Sequence, residues 1–242
     1  MKLKVARLVL QTDRPLAEGA AKLRGFFGRK FPEHPILHHH VSEGYLYVYP
    51  KVQYKVIGGT ALVLGVEEGA DILKQVMGGI DELVLGRERY EVIKKIYAEE
   101  TSVISPTRDL RRYRFLTPWL ALNSRNYEKY RGANWREKKS IINSVLVGNI
   151  LSMCKGLGFV VEKKLEAHTK IEEQAVEYKG VRMIGLTGEF EVNFLIPDFF
   201  GLGKGVSQGY GAVKSFVKEF IKGGDKNRSS RSSDLSQNLA MF

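Results

Sequence analysis

The chain has 242 residues, 43% of them hydrophobic, and carries 38 Lys and Arg against 27 Asp and Glu, a net charge of +11. This excludes a disordered polymer and leaves one large domain or two of ordinary size, with apolar residues enough for real cores. The single cysteine, Cys154, excludes an internal disulfide, no apolar run approaches the roughly 20 residues that cross a bilayer, and the start lacks the apolar core of a signal peptide, so a cytoplasmic protein is expected.

Residues 2–11 alternate Leu3, Val5 and Val9 with polar neighbours and predict a strand. Pro15 opens a predicted helix running to about Lys30, with Leu16, Ala20, Leu23 and Phe27 on its apolar face and Arg24, Arg29 and Lys30 near its C-terminal end, where cations suit the helix dipole. Phe31-Pro32 stops it. Residues 33–40 form a loop into a strand at 45–49, whose alternation sets Tyr45, Tyr47 and Tyr49 on one side. Strand-like runs at 53–57 and 60–66 bracket Gly58-Gly59, a short helix follows at 69–77, and strands at 82–85 and 90–97 close a ferredoxin-like unit. The reading places a domain boundary at Ser105-Pro106, with residues 1–105 as one domain and 106–222 as a second.

In the second half, residues 112–122 read as a strand and 123–157 as helical, with Ile141, Val145, Gly148 and Leu151 along one face. Extended runs at 159–168, 169–178 and 181–196 precede a last strand near 211–217, and the polar tail at 223–242 reads as disordered. Charge is concentrated here: residues 108–164 hold 13 Lys and Arg against 4 Asp and Glu, while residues 1–107 and 165–215 together balance to zero. Such a block is the footprint of a nucleic-acid binder, with a merely solvated basic surface as the plain alternative. The candidate RNA contacts are Arg111, Arg112, Arg114, Arg125, Lys129, Arg131, Arg136, Lys138 and Lys139.

Behind the apolar run ending at Ile196 stand five glycines, Gly201, Gly203, Gly205, Gly209 and Gly211, within eleven residues around Lys204. A tight turn needs one or two such residues. The phosphate loop of nucleotide hydrolases requires Ser or Thr after Gly-Lys, and here Gly205 follows; no helix fits the dinucleotide fingerprint either. Two readings stay open: a loop whose bare amides, with Lys204, hold the phosphates of a polymer, and a packed glycine-rich hairpin.

Together the tandem ferredoxin-like order, the loop from Gly201 to Gly211 and a histidine cluster after the first helix make the chain resemble the CRISPR-associated endoribonucleases that cut the repeats of precursor guide RNA, within the RAMP superfamily. The resemblance implies an α+β fold of two ferredoxin-like (RRM-like) domains with a C-terminal glycine-rich loop. It also implies a precursor CRISPR RNA repeat as partner, with further effector-complex subunits or a second copy of the chain as candidates. One departure stands out, since no helix fits between Ile196 and Gly211.

Metal-free RNA cleavage makes the 2′-hydroxyl the nucleophile and requires a base, an acid and a cation or donor for the charged transition state. Histidine serves both proton roles because its pKa lies near 6.5. Of His38, His39 and His40, an extended segment turns the first and last to one side, so His38 and His40 are the expected proton-transfer pair. Tyr47 is expected to donate its phenolic hydrogen bond and Lys30 to supply positive charge, and family members similarly use histidine, tyrosine and lysine in this region. Zinc is the chief rival, but Pro35 breaks the His34–His38 spacing and no third ligand stands near, so neither metal nor cofactor is expected. Glu189, Glu191 and Asp198 are the best carboxylate set for two metals, and strand alternation explains the first two as solvent-facing. A non-catalytic RNA-binding subunit of a CRISPR ribonucleoprotein is the alternative function, and a nucleotide hydrolase built on the glycine loop a third.

Overall fold

A computed structural model describes residues 1–38 and 48–216. Its first sheet comprises β1 (Lys2–Thr12), β2 (Val52–Ile57), β3 (Thr60–Val66), β4 (Glu82–Leu85) and β5 (Glu88–Val103), with helices α1 (Ala20–Lys30) and α2 (Glu68–Val76). The strand order β2-β3-β1-β5-β4 is the ferredoxin order with β4 added at the edge as the hairpin partner of β5. Both helices cover one face, Leu23, Phe27 and Leu73 packing with Leu8, Tyr54 and Val63. On the other face, Val5, Leu62 and Leu64 join the core of the second half. Burial on both sides is why β3 reads as a nearly unbroken apolar run and not as an alternation.

Directly after Ile104 the chain enters the second sheet, built from β6 (Ser105–Phe115), β7 (Ala167–Tyr178), β8 (Val181–Leu195) and β9 (Val213–Ser215), with α3 (Ser124–Gly132) and α4 (Trp135–Gly156). Its order β7-β8-β6-β9 repeats the ferredoxin pattern. Where a second helix would run, between β8 and β9, the described residues hold only a 3₁₀ turn, Val206–Gln208, inside the glycine-rich loop. Helix α4 starts at a capping box: the Asn134 side chain accepts from the Glu137 N–H at 3.1 Å, and Glu137 accepts from the Asn134 N–H at 2.9 Å. Strands β7 and β8 turn through Lys179-Gly180, with φ of 52° and 76°, the two-residue hairpin geometry that matches strand twist.

Several sequence expectations are corrected. Helix α1 starts at Ala20 and not at Pro15, because Leu16 N–H bonds the Gly59 carbonyl at 2.8 Å and docks the Pro15 segment on the β2–β3 turn. The strand expected at 112–122 is β6, ending at Phe115; Trp119 and Leu120 then make only isolated bridges to Leu186 and Lys204. Helix α4 buries Ile142, Leu146, Ile150 and Met153, one position on from the expected face, and Leu151 is exposed. Two apolar stripes run side by side along it, so periodicity alone did not choose between them. Residues 159–166 form no strand, since Gly158 at φ 76° and the Phe159 N–H on the Cys154 carbonyl close α4 and send the chain off irregularly. Of the expected strand at 211–217, β9 covers Val213–Ser215, and Val217 lies outside the described residues. Val48 and Tyr49 are not in a strand; the remainder of the expected strand at 45–49, and the tail at 223–242, lie outside the described residues. No helix among the described residues is long and apolar enough to cross a membrane.

Candidate functional site

Helix α1 carries a glycine in its interior, Gly28, at a cost of about 1 kcal/mol in helix propensity relative to alanine. The fold supplies the reason: a Cβ there would overlap the imidazole of His38, which lies flat against the helix backbone. One turn earlier on the same face, the Arg24 guanidinium donates to the His38 carbonyl, and the Tyr54 hydroxyl donates to the Leu37 carbonyl at 3.1 Å. Burial pushes the Tyr54 phenol well above its ordinary pKa, with the Arg24 charge opposing, so it stays a neutral donor. His38 is therefore held by its main chain from two sides while its ring is half-buried.

The structure does not bring Lys30 to this place. Lys30 follows Phe26 by one turn on the opposite side of α1, its ammonium 5.8 Å from the Phe26 ring. There it lines a cleft of about 580 Å³ with Asp13, Asp81, Glu82, Glu91 and Arg89, and adds to the hydrogen-bonded Lys95 in holding the Asp81 carboxyl below the usual range. Four carboxylates make that cleft unsuited to a polyanion. His39, His40 and Tyr47 lie outside the described residues. Among the described residues no three His, Cys, Asp or Glu side chains converge as metal ligands.

The glycine-rich loop is wedged against this region. Gly209 meets the Ala20 Cβ of α1 and the Tyr54 carbonyl of β2 so closely that a Cβ would overlap them, and its φ of 96° suits glycine alone. Gly201 is gripped by a buried network: Tyr49 Oη donates to its carbonyl at 2.9 Å, and its N–H donates to Gln53 Oε1 at 3.1 Å. Lys55, wholly buried, donates to the same Gln53 oxygen at 3.1 Å, and burial pulls its ammonium pKa down to about 7. Gly203, Gly205 and Gly211 are likewise crowded, against Trp119, Tyr178 with Tyr210, and the Leu202 carbonyl. The N–H groups of Leu202, Lys204 and Gly211 donate to carbonyls of the protein itself. Close packing thus accounts for the glycines, and the exposed Lys204 side chain, 5.0 Å from the Tyr178 ring, is what the loop presents outward.

Most of the predicted RNA contacts form an accessible cationic surface. Arg111, Arg112 and Arg114 lie exposed on β6, whereas the intervening Tyr113 is buried. Arg112 pairs with Glu191 at 2.6 Å, and Arg114 stands opposite Glu189, which confirms those carboxylates as a solvent-facing row. Arg125, Lys129 and Arg131 on α3 and Arg136 and Lys139 on α4 are exposed and carry no ion pair among the described residues. Lys138 is half-buried, 3.7 Å from Glu173 and 4.6 Å from the Tyr130 ring.

Sequence reasoning missed Arg24, read as a helix-end charge, and the groove beside Tyr178 on the β7–β8 hairpin. Gly28 was the available signal for the first, since an interior helix glycine marks a close approach. For the second, only the Lys179-Gly180 turn was visible.

Comparison with known proteins bears on this arrangement. Residues 1–102 match the Cas6b N-terminal domain family and residues 105–216 the Cas6b C-terminal domain family. An uncharacterised protein of Methanocaldococcus jannaschii is 42% identical over 143 residues, spanning 57% of this chain and 95% of its own. A crystal structure of Cas6b superimposes with a TM-score of 0.84 at 32% identity, covering 89% of this chain and all of that one. A second, of the CRISPR RNA processing endoribonuclease Cas6b, gives 0.72 at 30% identity with the same coverage.

Proposed function

The chain belongs to the Cas6b family of CRISPR RNA processing endoribonucleases, and on that premise we propose that it cuts precursor CRISPR RNA within the repeat, by attack of a ribose 2′-hydroxyl and without a metal. The observation that carries this reading is the seating of His38 on Gly28 beside Arg24, which fixes an imidazole and a guanidinium together at the seam with the C-terminal half. His38 and His40 share the proton transfers, one removing the 2′-hydroxyl proton and the other protonating the departing 5′-oxygen. Tyr47 donates a hydrogen bond to the phosphate. Arg24, whose guanidinium donates to the His38 carbonyl, supplies positive charge for the phosphate oxygens on which charge develops. The products are a 2′,3′-cyclic phosphate and a 5′-hydroxyl.

The cations of β6, α3 and α4, with Lys204, hold the RNA through its phosphates. In this reading the protein works in the cytoplasm, as one copy, as a homodimer, or joined to further subunits of an effector complex.

Repeat RNA carrying a single 2′-deoxy nucleotide at the cleaved position, incubated with the protein in EDTA, tests the mechanism. The ribose substrate should be cut and the deoxy substrate left intact. Cleavage of the deoxy RNA, or loss of all cleavage in EDTA, removes the mechanism; tight binding with no product from either RNA favours a non-catalytic RNA-holding subunit.

A further inference from the structure

A groove of about 870 Å³ lies between the β7–β8 hairpin and the start of α3, and neither His38 nor Lys30, the catalytic candidates among the described residues, lines it. Its floor is apolar, with Leu122, Tyr127 and Met183. Its rim is cationic, with Lys179, Arg182 and Lys204 exposed around it. One carboxylate, Glu173, intrudes, but it already accepts the Tyr130 hydroxyl at 2.6 Å and stands 3.7 Å from the Lys138 ammonium. The net field over an apolar bed is therefore positive. The buried Tyr178 also lines the groove, with the Lys204 ammonium 5.0 Å from its ring.

We propose that this groove seats an unpaired nucleotide of the bound RNA, its base on the Tyr127–Met183 floor and its flanking phosphates on Lys179, Arg182 and Lys204. The inference deepens the reading above and takes from it only that RNA is the polymer. A paired base hides both faces within the stack and leaves an apolar floor nothing to cover. An unpaired base offers a flat apolar face, which aromatic side chains take irrespective of sequence. The volume lies in the range of small-ligand pockets and accommodates one nucleotide with room for its neighbours' phosphates. An apolar peptide segment would fill the floor equally well but would leave three cations on the rim without partners, and charge complementarity decides for the nucleotide.

The test reads affinity, on the full chain, with the host's own CRISPR repeat RNA made 2′-fluoro throughout so that it resists 2′-hydroxyl chemistry wherever the cut falls. A single abasic nucleotide is moved through the unpaired positions, and dissociation constants are measured by fluorescence anisotropy. One position should weaken binding by about tenfold when its base is removed, in keeping with base–aromatic stacking. Tyr127→Ala should remove most of that difference, binding intact and abasic RNA alike. Lys179→Gln with Arg182→Gln, both exposed and safe for folding, should weaken every RNA in the series and lower the salt dependence by about 0.7 in slope for each phosphate no longer neutralised. Overturning results are an abasic series with no preferred position, a base penalty that persists undiminished in Tyr127→Ala, or unchanged RNA affinity in the Lys179/Arg182 variant, as expected if a peptide occupies the groove. A protein that binds these RNAs as expected yet never cuts the ribose form loses the cleavage mechanism and keeps the groove assignment.

Discussion

In the first sheet, strands β1, β2 and β3 are covered on both faces, by two helices on one side and by the second half's core on the other, whereas the second sheet leaves a face bearing Arg112, Arg114, Glu189 and Glu191 to solvent. Charge follows the same division, since the basic block at residues 108–164 falls in the second half. In the first half the candidate imidazole is fixed by packing on Gly28 and by the Arg24 guanidinium donating to the His38 carbonyl. Cations in the second half lie exposed on β6, α3 and α4. The difference teaches that substitutions in the two halves should move different quantities, the rate of the chemical step in one and the affinity for RNA in the other.

His40→Ala and His38→Ala should each slow single-turnover cleavage by about 10²- to 10⁴-fold, the range for losing a proton-transfer group, with RNA affinity nearly unchanged. Loss of affinity in proportion to loss of rate would place these side chains in binding and merge the two roles. Reversing Arg125, Lys129 and Lys139 to Glu should do the opposite. Affinity should fall for many RNAs alike, and the slope of log affinity against log salt should shrink by about 2, or roughly 0.7 per phosphate, while the rate at saturating protein holds. An unchanged salt slope would make that surface merely solvated.

Between the halves lies Lys55, and it gives the comparison a pH handle. Burial lowers its pKa to about 7 from the ordinary 10.5, so the folded state disfavours the proton that the unfolded chain binds throughout that window. Stability should be lowest below pH 7, rise between pH 7 and 10.5, where the unfolded chain keeps a proton that the folded chain has lost, and level off above that. Lys55→Met should be more stable than the parent by a few kcal/mol at pH 6, an advantage that fades above about pH 10. Denaturant melts across pH read this directly; a pH-independent difference would mean that Lys55 is not desolvated. A smaller effect is expected at the imidazole's seat. Gly28→Ala adds about 1 kcal/mol of helix propensity, yet its methyl group would push the His38 ring aside, so cleavage should fall by about tenfold or more while the fold is retained.

The succession of elements along the first half and the helix-to-loop passage after Phe31 were legible because alternation and proline stops are local signals. Among other places, the structure departs from the sequence reading in α4, at Lys30 and in the glycine run. The α4 face was displaced because Ile141 and Ile142, and Leu151 beside Ile150, offer adjacent stripes whose choice depends on what lies opposite, including Asn149 held by Trp119 at 2.9 Å. Lys30 was assigned by nearness in sequence to the histidines, whereas the helix turns it away and brings Arg24 and Gly28 to His38. The glycine run was read in part as bare backbone for phosphate, because a sequence does not reveal that Ala20, Tyr54, Trp119 and Tyr178 crowd those positions.

Mass spectrometry of the RNA ends made by the purified protein alone, in EDTA, tests the central claim most directly. The account predicts a 2′,3′-cyclic phosphate on the upstream fragment and a 5′-hydroxyl on the downstream one. A 3′-hydroxyl facing a 5′-phosphate would mean that water, and not the neighbouring ribose, attacked the phosphorus, and would contradict it.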